Sequence, residues 1–216
     1  MAAAALLVSP LAAPQLLAFP YRGQSHGSVV WSEAPLPQSA LDRVMDRTSS
    51  LVAQSPVADP LGETRHIFLT RGGWRWTWLA LQSRDGFALS RAFGETIVVN
   101  RSELASDNVV SGTQYEVGGT KVGGHRTLSG TLAHEICHGM ERKRYGPLVD
   151  LTAPNWLREG YCDFVAQESS LSDADVALLR ANGRSHPALP YYEGRRKVAA
   201  NLERNDGNVD ALFAVN

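Results

Sequence analysis

A chain of 216 residues with 44% hydrophobic and 20% charged residues is long enough for one domain with a real core. Its formal net charge of -1 gives no reason to expect the concentrated basic surface that nucleic acid requires, so no nucleic-acid partner is expected. Two cysteines, Cys137 and Cys162, are too few for a disulfide framework or a four-thiolate zinc site, and they can pair only if their helices touch.

Residues 1–19 carry no charge and are rich in Ala, Leu and Val. Such a stretch suits a signal sequence or a membrane anchor, although Pro10 and Pro14 interrupt it and no basic residue precedes it. The expected organisation is an apolar segment over 1–20 followed by one domain over 21–216. Membrane association through 1–20, or export, is the first expectation for localisation. A buried or disordered segment of a cytoplasmic protein is the alternative.

Residues 27–33, GSVVWSE, predict a short strand that stops before a proline-rich turn. A helix is predicted over 38–54, where Leu41, Val44, Met45, Leu51 and Val52 recur near the helical period, with Pro56, Pro60 and Gly62 ending it. Three apolar runs follow: HIFLT at 66–70, WTWLAL at 76–81 and ETIVVN at 95–100. β-Branched and aromatic residues dominate them, which predicts strands in a small, mostly antiparallel sheet. Trp74, Trp76 and Trp78 would then share one side of a strand and pack a core or a lobe interface. Residues 111–130 hold six glycines and predict a loop or hairpin. They are not a phosphate loop, because no Gly-Lys-Ser/Thr follows.

From Leu128 the pattern turns helical. Ser129 is the expected cap of a helix running to about Arg144, which Tyr145-Gly146-Pro147 ends. A second helix is predicted over 154–169, a third after Ser172, and a fourth from Pro190. Strands first and helices afterwards predict an α+β fold.

The informative residues are His134-Glu135-Ile136-Cys137-His138. Histidines four apart on a helix share one face and can grip a single metal ion. Glu135 stands beside the first of them, where it can act as general base: zinc lowers the pKa of a water it holds, and the carboxylate takes the proton. Chance would supply such a match on the order of 0.01 times in a chain of this make-up. Zn2+ in a hydrolytic site needs a third protein ligand and an open position. In one large group the motif continues with glycine and then histidine, but here those positions are Glu141 and Arg144. The alternative is a glutamate on a following helix, and Asn155-Trp156-Leu157-Arg158-Glu159-Gly160-Tyr161-Cys162-Asp163 supplies Glu159.

HEICH followed by WLREGYCDF resembles the paired motifs of the gluzincin metallopeptidases, most strongly over residues 128–166. The resemblance implies a compact zincin-like domain in which the HExxH helix is followed by the glutamate-ligand helix. It implies His134, His138 and Glu159 as zinc ligands and Glu135 as base. It also implies that Asp163 hydrogen-bonds a ligand histidine and fixes its tautomer. Tyr161 and Cys162 depart from the small or apolar residues of many members. For the group that stabilises a developing oxyanion, Tyr191 is favoured, then Tyr192, with Arg195 and His186 as further candidates. An extended peptide would add to the sheet edge formed by 96–100. His125 could approach the metal from the glycine-rich stretch.

The expected function is therefore a zinc metallopeptidase acting on a peptide or protein. Two alternatives remain open at this point. One is a zinc hydrolase with a non-peptide substrate. The other is a non-catalytic, membrane-associated or secreted metal-binding domain, which a fourth ligand from Cys137, Cys162 or His125 would favour.

Overall fold

The computed structural model describes residues 10–58, 65–81, 83–91, 95–110 and 115–214. The apolar residues 1–9, the expected helix breakers Pro60 and Gly62, and residues 111–114 of the glycine-rich stretch lie outside it.

The chain is α+β. It begins with a 3-10 turn (Pro14–Leu17), β1 (Tyr21–Ser25), β2 (Ser28–Ser32), α1 (Gln38–Ala53), β3 (His66–Leu69) and α2 (Gly73–Ala80). Short strands follow: β4 (Ala88–Ser90), β5 (Ile97–Val99), β6 (Arg101–Glu103), β7 (Asn108–Val110), β8 (Tyr115–Val117), β9 (Thr120–Val122) and β10 (His125–Thr127). The rest is helical: α3 (Leu128–Tyr145), α4 (Val149–Thr152), α5 (Asn155–Val165), α6 (Asp173–Ala181), α7 (Leu189–Arg204) and α8 (Val209–Phe213).

The main sheet has the order β1-β2-β3-β5-β4. It is mixed, not mostly antiparallel: the β2–β3 and β3–β5 pairs are parallel, and the outer pairs are antiparallel. The connections explain this, because α1 lies between β2 and β3, and α2 with β4 lies between β3 and β5. Such crossovers bring successive strands in parallel, whereas a tight turn gives an antiparallel pair. The edge expected over 96–100 is also corrected. β4 folds back onto β5 and takes its open side, so β5 is interior and β4 is the edge.

One face of this sheet carries Val30, Ile67, Leu69, Ile97 and Val99. They pack against Leu41, Val44 and Met45 of α1 and Leu132, Ile136 and Met140 of α3. Burying each such side chain stabilises the fold by about 1.5–3 kcal/mol, which is what holds α3 against the sheet. The other face carries Trp31, Phe68, Leu89 and Val98, covered by α2 and by Phe19.

The run at 76–81 is thus helical as far as Ala80. Trp76, Leu79 and Ala80 are buried, at i, i+3 and i+4, while Trp74 and Trp78 point outward. The alternating tryptophans imitate a strand, but Gly72 and Gly73 both have positive φ and turn the chain into a helix that covers Phe68 and Val98. The three tryptophans therefore do not share one side.

The glycine-rich stretch holds the β8–β9 hairpin, turned by Gly118 and Gly119 at φ 56 and 78. β10, β7 and β6 form a three-stranded antiparallel sheet, and β10 runs straight into α3. The α3 cap is Thr127, whose Oγ1 accepts from the Gly130 N–H at 3.0 Å; it is not Ser129. Ser129 lies inside the helix, its hydroxyl donating to Asp107 Oδ2 at 2.7 Å. Ser172 does cap α6, in a reciprocal box with Asp175. α5 stops at Val165, short of 169, and Gln167 follows with φ 55.

α5 and α7 cross backbone to backbone. A Cβ on Gly160 would lie 2.4 Å from the carbonyl carbon of Gly194, and one on Gly194 would lie 2.5 Å from the carbonyl oxygen of Trp156. Only glycine permits this approach.

Candidate metal centre

α3 is buried from Leu128 to Arg142, with Glu141 fully enclosed, so every polar group on it needs a partner. His134 and His138 project from one face towards α5. Their Nε2 atoms lie 3.1 Å apart. Glu159 Oε2 lies 3.3 Å from His134 Nε2 and 3.5 Å from His138 Nε2. Donors held at about 2.0–2.1 Å from a tetrahedral zinc stand roughly 3.3–3.4 Å from one another, so the triangle has the size such an ion needs.

The surroundings orient the donors towards that point. His134 Nδ1 lies 2.8 Å from Asp163 Oδ1, and His138 Nδ1 lies 3.2 Å from Glu141 Oε2. The first contact is close but off the N–H axis, so it is an ion-pair contact rather than a linear hydrogen bond. With both Nδ1 atoms facing carboxylates, both Nε2 lone pairs meet at one place, where a proton or a cation must sit. Arg158 Nη2 holds the other oxygen of Glu159 at 3.0 Å, leaving Oε2 for the triangle. Asp163 has no exposed surface and is paired with Arg126 Nη1 at 3.0 Å. Arg126 is itself shared with Glu168 at 3.3 Å, and Glu168 also accepts from Thr127 Oγ1 at 2.7 Å.

These contacts set the titration of the donors. Burial would push the Glu159 carboxyl up, but the two imidazoles hold it far below the usual carboxylate range. Burial opposes charge on His134, yet Asp163 and Glu159 raise it above the ordinary imidazole value. His138 is raised further, by Glu141 and Glu159 against the same burial.

The thiols lie behind the site. Cys162 Sγ is 3.4 Å from His138 Nδ1, on the side of the ring away from Nε2. It therefore cannot complete the triangle as a fourth ligand. α3 and α5 do touch, and Cys137 and Cys162 are both fully buried and free. Burial pushes both thiols up, which keeps them unreactive. His125 lies on β10 opposite Val110, and its side chain is outside the described part of the structure.

The triangle opens into a cleft of about 560 Å³ lined by His134, Glu135, His138, Glu159 and Tyr191, with the β4 strand along its wall. Glu135 is 7% exposed and takes no part in the donor triangle. Tyr191 is half-buried, and burial, then the charges of Glu159 and Asp163, push its phenol up to about 12. It stays an O–H donor at neutral pH. Tyr192 instead donates to Asp173 and packs with Val117 and Leu179. His186 also lines the cleft; its Nδ1 accepts from the Ala188 N–H at 3.0 Å, which places the proton on Nε2. Arg195 is half-buried and is not among the residues that line the cleft.

The sequence reading missed Glu141, Arg126, Arg158 and Glu168 as supports. Glu141 stands three residues after His138, on the same helical face, and that spacing could have flagged it. Arg158 adjoins Glu159 in the chain. Arg126 and Glu168 had no such signal, since the fold alone brings them to Asp163.

Comparison of the chain with family models, with curated proteins and with solved structures found no match.

Proposed function

We propose that this protein is a zinc-dependent metallopeptidase with a zincin-like fold, resembling the gluzincins in how α3 and α5 present the ligands. The observation that carries the reading is the triangle of His134, His138 and Glu159 donors, 3.1–3.5 Å apart, on the wall of an open cleft. These three residues would hold Zn2+. When bound, the ion supplies Lewis acidity, polarising a carbonyl oxygen and making water acidic enough to lose a proton near neutral pH.

The protein's own groups do the rest. Glu135 takes a proton from the attacking water and passes it to the leaving nitrogen. Tyr191 donates its O–H to the carbonyl oxygen as that oxygen gains charge. Asp163 and Glu141 keep the ligand imidazoles in the tautomer that frees Nε2. The open edge of β4, beside the cleft, accepts an extended peptide as an added strand, with main-chain hydrogen bonds holding the scissile bond near Glu135. That edge favours a peptide over a compact non-peptide substrate. The thiols behind His138 argue against a closed structural site, which would need a fourth protein ligand on the Nε2 side.

The test is metal analysis with activity against a mixed peptide library. Wild type is expected to bind one zinc and cleave. Glu159→Ala is expected to lose most of its zinc. Glu135→Gln is expected to keep it while losing roughly 10²–10⁴-fold in rate. Unchanged zinc in Glu159→Ala would remove the ligand assignment, and full activity in Glu135→Gln would remove the mechanism.

A further inference from the structure

α2 presents an apolar face that nothing in the described structure covers. Trp74 and Trp78 are one turn apart and 60% and 41% exposed, and Leu81, just past the helix end, is 53% exposed. Leu16 is 61% exposed. It joins this face because Arg75 Nε donates to the Leu17 carbonyl at 2.9 Å while the Arg75 guanidinium stacks on both Trp74 and Phe19. Residues 17–19 are thereby held beside Trp74. The preceding residues, 1–9, carry no charged side chain.

The rim is basic. Arg71 and Arg101 are exposed at the start of α2, Arg101 lying beside Gly72, and Arg84 is exposed beyond its end. Residues 65–101 contain six arginines against Asp85 and Glu95. Tryptophan and leucine inside an arginine rim match the boundary between acyl chains and acidic headgroups. No helix among the described residues is long and apolar enough to cross a membrane.

We propose that the α2 face, with Leu16 beside it, docks the protein onto the surface of a bilayer containing anionic lipid. Trp74, Trp78, Leu81 and Leu16 enter the interface, and Arg71, Arg84 and Arg101 meet the headgroups. The metal ligands come from helices on the opposite face of the main sheet, so this docking leaves them clear of the lipid.

The experiment is co-sedimentation of the full chain with phosphatidylcholine vesicles, with and without phosphatidylglycerol, beside light scattering of the lipid-free protein. Wild type is expected to bind the anionic vesicles, more weakly as salt rises. Trp74→Ser with Trp78→Ser is expected to weaken binding at least about tenfold. Removal of Arg71 or Arg84 costs about fivefold each. Both tryptophans are exposed, so an unchanged unfolding temperature verifies that the double variant folds, and the Arg71→Ala variant tests the face independently. Absence of binding to either vesicle overturns the proposal, as does equal binding by wild type and the double variant. A lipid-indifferent dimer that the tryptophan substitutions dissociate also overturns it, because the face would then belong to a second copy of the chain.

Discussion

The two histidines of the proposed zinc triangle are held from behind in different ways. His134 rests on Asp163, a carboxylate already paired with the buried Arg126, which in turn is shared with Glu168. His138 rests on Glu141, which has no arginine partner among the described residues and sits among the thiols of Cys137 and Cys162. Arg126 and His134 together keep Asp163 ionised against its burial, whereas burial pushes Glu141 up. His138 is raised more than His134. One side of the centre is fixed by a charge relay into the strand before α3; the other is a short contact within one helix. A carboxylate shared with a guanidinium perturbs the proton affinity of its imidazole less.

That contrast can be broken most forcefully at Asp163. Asp163→Ala leaves Arg126 buried with Glu168 alone, and is expected to destabilise the protein by about 3 kcal/mol, near the low end for breaking a buried pair. Zinc affinity should fall about 10–100-fold as well. Denaturant unfolding and competition with a chelator check the two effects. Equal stability in variant and wild type would mean that Arg126 does not depend on Asp163.

Glu141→Gln should act more gently. The amide keeps the shape and strands no opposite charge, so zinc affinity is expected to fall by about tenfold or less, with little loss of stability. An effect as large as that of Asp163→Ala would erase the distinction between the two sides.

The smallest effect is in pH dependence. Both imidazoles are raised in the folded protein, so their protonation adds stability that is fully present below the unfolded value of 6.5 and is lost as pH rises through the folded values. Zinc held as proposed would compete for the same nitrogens. The rise in unfolding temperature on adding zinc should therefore grow as pH increases above 6.5. In Glu141→Gln the growth should level off at lower pH, because His138 loses a carboxylate that raises it. A zinc increment independent of pH would show that these imidazoles are not where the metal competes.

How far the sequence reached depended on the range of each interaction. The motif on α3 needed only helical spacing, so the meeting of His134 and His138 followed from four residues of separation. Glu159 was reachable because one turn and a short helix separate it from His138. Asp163 was read only through the resemblance, and its contact with Arg126 spans 37 positions that no local pattern connects. The 76–81 run failed for a different reason. Three alternating tryptophans satisfy a period of two, and the helical period of Trp76, Leu79 and Ala80 was hidden among them. The mistaken sheet edge came from the same limit: a three-residue strand such as β4 carries too little pattern to be seen, yet it displaces its neighbour from the edge.

The meeting of Gly160 with Gly194 reaches beyond packing. Glu159 adjoins the first glycine, and Tyr191 stands one turn before the second. The missing methyl groups thus act as a gauge block for the span between carboxylate and phenol. A single added carbon at either position would wedge the helices apart and lengthen that span without touching either functional side chain.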